Sequence, residues 1–111
     1  MAEVFEVRDR DGVPISLDQA RWERHIVAGH GEVEPFIEEI KTVIQNPDLI
    51  YEHAGSRLYC KLGVVETPPY KPLYLEVVVR ISGKPARGEV ITVHFRKTPP
   101  SNGELIWMSK N

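Results

Sequence analysis

The hydrophobic pattern of the chain changes its period near the middle. From Phe36 to Ile44, apolar residues recur at the spacing of one helical face, which predicts a helix that begins at Pro35 and ends at Asn46-Pro47. Beyond it, apolar and polar residues alternate, as they do in half-buried strands. The alternating runs are 48–53, 57–65, 73–81 and 89–95, with a short further run at 104–108. This order predicts an α+β fold, in which N-terminal helices pack on one face of a four- to five-stranded antiparallel sheet.

Two further elements are expected before this helix. Residues 3–17 have the pattern of a hairpin, because Asp11-Gly12 is a dipeptide typical of tight turns. Residues 16–31 predict a short helix that ends near its glycines. No repeat, linker or low-complexity tract divides the chain, so its 111 residues are expected to form one domain, 1–111.

Composition limits the class of protein. The single cysteine, Cys60, excludes an internal disulfide and a cysteine-rich zinc site. The sequence has no apolar run of about 18 residues and no signal-peptide core, so we expect a cytoplasmic protein without a membrane partner. The net charge of −2 argues against a large nucleic-acid-binding surface, which normally carries a basic surplus.

Alternation within the strands sorts their side chains by face. In 57–62 it directs Leu58, Cys60 and Leu62 toward the helices, where Cys60 is expected to be a buried apolar residue rather than a nucleophile. The opposite face is then expected to carry Arg57, Tyr59, Lys61, Tyr74, Glu76, Arg80, Thr92, His94 and Arg96.

This set of side chains has two interpretations. Polar residues are expected on the solvated face of any antiparallel sheet that has helices on its other side. The same groups are also those that RNA cleavage without a metal requires. A base removes the 2′-OH proton, an acid protonates the leaving 5′ oxygen, cations hold the charged phosphorus centre, and tyrosines stack on bases. The joint presence of a carboxylate, an imidazole, cations and tyrosines favours the second interpretation.

Two histidines, His25 and His30, lie near the end of the predicted short helix. Their spacing of five is poor for two metal ligands on one helical face, and no carboxylate cluster accompanies them, so no metal or other cofactor is expected. An imidazolium at a helix C-terminus is favoured by the helix dipole, which is the structural alternative to a catalytic role. His53, beside a turn, is expected to be a solvated loop residue.

Several short motifs occur in an order that resembles a known nuclease fold. They are Trp22, His25, Ile26 and His30 on the first helix, Asn46, Pro47 and Asp48 after the second, Arg80 at a strand end, and Ile91 with Thr92 in the last core strand. This order resembles the phage-associated branch of the barnase–EndoU–colicin–RelE nuclease fold, over residues 17 to 95.

The resemblance implies a metal-independent nuclease acting on RNA, of the kind found in phage and toxin–antitoxin settings. It implies site residues at His25 or His30, Arg80 and Thr92, whereas His94 follows from the analysis of faces. Together with these catalytic candidates, we expect Tyr59, Lys61, Glu76 and Arg96 to bind substrate. RNA and an antitoxin or immunity protein are the expected partners. The alternative is a non-catalytic interaction module of the same fold, which could form a homodimer.

Overall fold

The computed structural model of the chain describes residues 2–65 and 72–110. Its strands there are β1 (Glu3–Arg8), β2 (Pro14–Asp18), β3 (Leu49–His53), β4 (Ser56–Leu62), β5 (Tyr74–Ser82), β6 (Arg87–Arg96) and β7 (Glu104–Met108). Between β2 and β3 lie helices α1 (Gln19–Arg21) and α2 (Ile37–Gln45), with a π-helical turn at Trp22–Val27 and a 3₁₀ segment at Gly31–Phe36. Within the described ranges, no helix has the length and apolar character needed to cross a bilayer.

All these strands belong to one mixed sheet, in the order β1-β2-β6-β5-β4-β3-β7. The predicted α+β class is confirmed, but the prediction of a four- to five-stranded antiparallel sheet behind N-terminal helices is wrong. The N-terminal hairpin joins the sheet, because β2 pairs with β6 in parallel and so buries Ile15 and Leu17 completely. This pairing joins segments about seventy residues apart, and local sequence patterns do not specify such a partner.

Helix α2 provides the centre of the core. Its side chains Ile40, Val43 and Ile44, from the predicted apolar stripe, are fully buried, and the helix contacts β1, β4 and β5. Helix α1 begins at Asp18, whose carboxylate accepts hydrogen bonds from two backbone N–H groups of the first turn. The cap directs the chain from the end of β2 onto the same face of the sheet.

The sheet curls around α2 so that its two edges approach each other. At the β1–β2 turn, the carboxylate of Asp9 accepts a 2.7 Å hydrogen bond from the Tyr59 hydroxyl and a 3.2 Å bond from Arg57, both on β4. The neighbouring Arg10 guanidinium lies 4.4 Å from the ring centroid of Trp107 on β7. The tip of the hairpin at one edge therefore contacts the strand at the opposite edge, across the side that holds the helices.

The register of the strands corrects the predicted faces of β4. One row across the sheet consists of Ile50, Tyr59, Val77 and Val93, and all four are buried on the helical side. Tyr59 therefore points inward and Cys60 outward, so the predicted orientation of β4 is wrong by one residue. Alternation could not decide the orientation of β4, because both of its faces carry side chains that are apolar enough to bury: Leu58 and Cys60 on one face, and Tyr59 on the other. Asp9 makes the burial of Tyr59 possible, since it satisfies the hydroxyl.

The outer face of the sheet is partly covered by the connection between β6 and β7. These strands run in the same direction, because four antiparallel pairings separate them, so residues 97–103 must cross the sheet. A Cβ added to Gly103 would lie 3.2 Å from Tyr51 Cβ and 3.6 Å from Leu58 Cδ1, so this residue passes directly over the outer face. The connection covers the part of that face at Tyr51 and Leu58.

Candidate active site

Three polar side chains lie side by side on the outer face, where β4, β5 and β6 meet. The pairing register sets Cys60 beside Glu76 and Glu76 beside His94. The Glu76 residue is only 2% exposed, and its Oε1 lies 2.5 Å from His94 Nε2. Its other oxygen, Oε2, lies 3.7 Å from the Cys60 sulfur. A carboxylate buried to this degree requires such partners, because an unpaired charge at this position would be strongly destabilising.

Arg96 adds a cation to this group. It follows His94 by two residues on the same face of β6, and its Nη1 lies 3.8 Å from Glu76 Oε1. Its Nε donates a 3.1 Å hydrogen bond to the carbonyl of Thr98, which fixes the guanidinium at the end of the strand. The Arg96 side chain is 34% exposed and that of His94 is 24% exposed, so both reach solvent over a buried carboxylate.

A second imidazole comes from the helical region. The ring centroids of His30 and His94 are 5.5 Å apart, and the planes are tilted by 52°. The backbone N–H of His30 donates a hydrogen bond to the carbonyl of Ile26, and Nδ1 of the His30 ring lies 3.4 Å from Glu32 Oε2. The 3₁₀ segment that follows packs on the same strand, since Phe36 meets Phe95 edge to face at 5.8 Å. Strand β2 pairs with the start of β6, at Gly88 and Glu89. The end of β6 that carries His94 and Phe95 instead lies beside the helical segment that contains His30 and Phe36.

We name the group formed by His30, Cys60, Glu76, His94 and Arg96 the histidine cluster. In it, the Nε2–H of His94 is the natural donor to Glu76, which leaves Nδ1 with the free lone pair. The cluster thus combines a base oriented by a carboxylate, a second imidazole within reach of the same small ligand, and a cation. These are the groups needed to move two protons at a charged centre.

Four of the predicted site residues lie together: His30, Glu76, His94 and Arg96. Thr92 lies two residues before His94 on β6, paired with Val78 of the outer face, so it is about 7 Å along the strand from the cluster. His25 is exposed on the π-helical turn, apart from these contacts.

Arg80 lies at the other end of β5. It is four residues from Glu76, which corresponds to roughly 13 Å along the strand. There it lines a shallow depression of about 230 Å³ with Ser16, Ser82, Arg87, Gly88 and Glu89. The expectation that Arg80 shares one cleft with His94 is therefore wrong, because both residues lie on the outer face but at opposite ends of it.

The predicted substrate-binding roles of Tyr59 and Lys61 rested on the wrong face of β4. Tyr59 is fully buried and bonded to Asp9, and desolvation, with the neighbouring carboxylate, raises the pKa of its hydroxyl far above the usual range. Lys61 pairs with Asp48, with 3.3 Å between Nζ and Oδ1. Both side chains act within the fold, and neither belongs to the histidine cluster.

Sequence reasoning missed two residues that matter here. Cys60 is buried, as predicted, but on the outer face, where desolvation and the adjacent Glu76 raise the pKa of its thiol. It is therefore a neutral neighbour of the carboxylate and a poor nucleophile. Asp9 had one signal in the sequence: an aspartate two residues before an Asp-Gly turn often binds the turn's own N–H groups. Its role as the acceptor for Tyr59 depends on a contact across fifty residues.

The described residues contain no group of three or more His, Cys, Asp or Glu side chains arranged to hold a metal ion. Comparison of the chain with protein-family models, with curated proteins and with solved structures finds no match.

Proposed function

We propose that this protein is an endoribonuclease that cleaves RNA through His94 and His30, without a metal ion. The observation that carries the proposal is the pair of imidazoles 5.5 Å apart, one of them bonded to the buried carboxylate of Glu76. Two imidazoles suffice for both proton transfers of the reaction, because the 2′-OH of the RNA is itself the nucleophile.

In the proposed reaction, Nδ1 of His94 takes the proton from the 2′-OH as its oxygen attacks the adjacent phosphorus. His30, as imidazolium, gives a proton to the 5′ oxygen, whose bond to phosphorus breaks. The products are a 2′,3′-cyclic phosphate and a free 5′-OH. Arg96 stabilises the negative charge on the phosphoryl oxygens, and Thr92, on the same face, is a hydrogen-bond donor to the phosphate.

Glu76 has a positioning role in this proposal. It accepts the Nε2–H of His94, holds the ring in one tautomer and stabilises the imidazolium that forms during the reaction. Glu76→Gln keeps an acceptor but removes the charge, so we expect a fall in kcat of about tenfold or more with an unchanged KM. The pH dependence of kcat should also shift, which a purely structural role would not cause.

The direct test is cleavage of single-stranded RNA in the presence of EDTA. His94→Ala and His30→Ala should each reduce kcat/KM by about 100-fold or more, which is the usual contribution of an acid or base. His25→Ala and His53→Ala are matched controls, because both histidines are exposed and lie outside the histidine cluster. Wild-type protein that cleaves RNA no faster than the His30→Ala/His94→Ala double variant would refute the proposal.

The alternative function is a non-catalytic interaction module. The partly covered outer face and the net charge of −2 favour it. The two functions differ in living cells, because a free ribonuclease should arrest growth when expressed and should be harmless as the His94→Ala variant. An antitoxin or immunity protein for the active form would then be expected to restore growth. Equal growth with wild type and variant would favour the interaction module.

A further inference from the structure

Cys60, Glu76 and His94 form one row across the outer face, on β4, β5 and β6. The row begins with a fully buried thiol, continues with a carboxylate that is 2% exposed, and ends with an imidazole that reaches solvent. The proposed reaction uses the imidazole and the carboxylate, but it gives the thiol no role. The thiol contacts the carboxylate through the oxygen that His94 does not use.

The two oxygens of Glu76 have different partners. Oε1 faces Nε2 of His94, and Nη1 of Arg96 lies 3.8 Å from the same oxygen. Oε2 lies 3.7 Å from the sulfur of Cys60, and in the part of the chain that the structure describes this thiol is its one hydrogen-bond donor. The last torsion of a glutamate is broad, so a contact at one oxygen does not fix the plane of the carboxylate. A donor at Oε2 supplies the second point of attachment.

The thiol has two acceptors within reach, and their chemistry decides between them. Its sulfur lies 3.7 Å from Glu76 Oε2 and 3.9 Å from the carbonyl oxygen of Leu58. That carbonyl belongs to a strand paired on both sides, where carbonyl groups accept hydrogen bonds from the neighbouring strands. A carboxylate oxygen without another donor is the stronger acceptor. The thiol keeps its proton for this bond, because desolvation and the adjacent carboxylate raise the pKa of Cys60.

We propose that Cys60 is a positioning residue of the histidine cluster: its thiol donates a hydrogen bond to Oε2 of Glu76 and so holds Oε1 toward His94. His94 is thereby kept in the tautomer that carries its proton on Nε2 and its free lone pair on Nδ1. The catalytic consequence rests on the proposed function, in which Nδ1 of His94 is the base. The hydrogen bond itself does not depend on RNA cleavage.

Infrared spectroscopy of the full-length protein tests the bond directly. Cys60 is the single cysteine of the chain, so the S–H stretching band has one source. A hydrogen bond to a carboxylate lowers the frequency of this band. Glu76→Leu should therefore raise the frequency, and Glu76→Gln, which keeps a neutral acceptor, should raise it less.

Glu89→Leu is the matched control for the infrared measurement, because Glu89 is an exposed glutamate at the other end of the outer face. This variant should leave the band unchanged, and circular dichroism verifies that each variant is folded. A band that stays unchanged in both Glu76 variants would show that the thiol donates to the carbonyl of Leu58, and it would overturn the proposal.

The second measurement follows the ring of His94, whose ¹⁵N chemical shifts report the tautomer of the neutral imidazole. Wild type and Cys60→Ser, whose hydroxyl keeps a donor, should show the Nε2–H form alone. Cys60→Ala removes the donor, so the Nδ1–H form should become populated. The exposed ring of His53 serves as the control in the same spectra. A His94 ring that does not respond to Cys60→Ala would overturn the positioning role.

Cleavage of RNA gives the third readout. Cys60→Ala should lower kcat by about three- to tenfold with an unchanged KM, and Cys60→Ser should restore it. An alanine variant that cleaves as fast as wild type would overturn the positioning role. A wild-type protein without ribonuclease activity would refute the proposed function alone, since the infrared and ¹⁵N measurements still decide whether Cys60 positions His94.

Discussion

Asp9 is expected to hold the curled sheet closed, and its replacement by alanine should be one of the most damaging single changes in the chain. The side chain is fully buried, and both oxygens are used. Oδ1 accepts from the backbone N–H groups of Asp11 and Val13, each at 2.9 Å, and Oδ2 accepts from Tyr59 and Arg57. Alanine would remove all four acceptor contacts and leave the Tyr59 hydroxyl buried without a partner.

The structure sets the size of the effect. Hydrogen bonds to a charged group contribute about 1.5–3 kcal/mol, and removal of one member of a buried charged pair costs about 3–5 kcal/mol. These figures describe the same contacts and are not summed, so Asp9→Ala should lower the free energy of unfolding by about 3–5 kcal/mol. For a chain of this size, that corresponds to a fall in Tm of more than about 10 °C.

Urea denaturation followed by circular dichroism measures this change. Asp11→Ala is the matched control, because the Asp11 side chain is half exposed and pairs with the neighbouring, exposed Arg10, so we expect a change within about 0.5 kcal/mol. In a double-mutant cycle with Tyr59→Phe, the two losses should be clearly less than additive, since phenylalanine leaves no hydroxyl to satisfy. A loss below about 1 kcal/mol for Asp9→Ala, or additive losses, would show that this contact does not close the sheet.

Two further predictions concern stability. Gly88→Ala should lower the free energy of unfolding in urea by about 1–3 kcal/mol, because the alanine Cβ would lie 2.7 Å from Val79 Cγ1 and closer still to Ile15 Cδ1. An unchanged unfolding midpoint would contradict this packing. Desolvation raises the pKa of Cys60 and Tyr59 above their ordinary values of 9.0 and 10.0, so the folded chain keeps protons that the unfolded chain releases. The contribution of these two groups to the free energy of unfolding should therefore be fully present below about pH 9. Above that pH, the free energy of unfolding should fall by up to about 1.4 kcal/mol per pH unit for each group. Unfolding curves that coincide from pH 8 to 11 would refute this expectation.

Local periodicity was enough to predict most elements and part of the site. Helix α2 and the strand faces at Glu76 and His94 were predicted correctly, because each depends on a pattern within one segment. In β5 the inward positions Leu75, Val77 and Val79 leave a single reasonable orientation, and it sets Glu76 outward. In β4 both parities carry groups that can be buried, so the same reasoning failed for Tyr59.

The sequence by itself determined where helices and strands form, since backbone preference and apolar period act within a few residues. Tertiary structure alone decided which of them meet. The pairing of β2 with β6, the crossing of residues 97–103 over the outer face, and the bond between Asp9 and Tyr59 all join segments far apart in the chain. The approach of His30 to His94 is of the same kind, because it depends on a helical end packing beside a strand sixty residues later. Such contacts depend on the mutual fit of whole surfaces, and no short stretch of sequence encodes that fit.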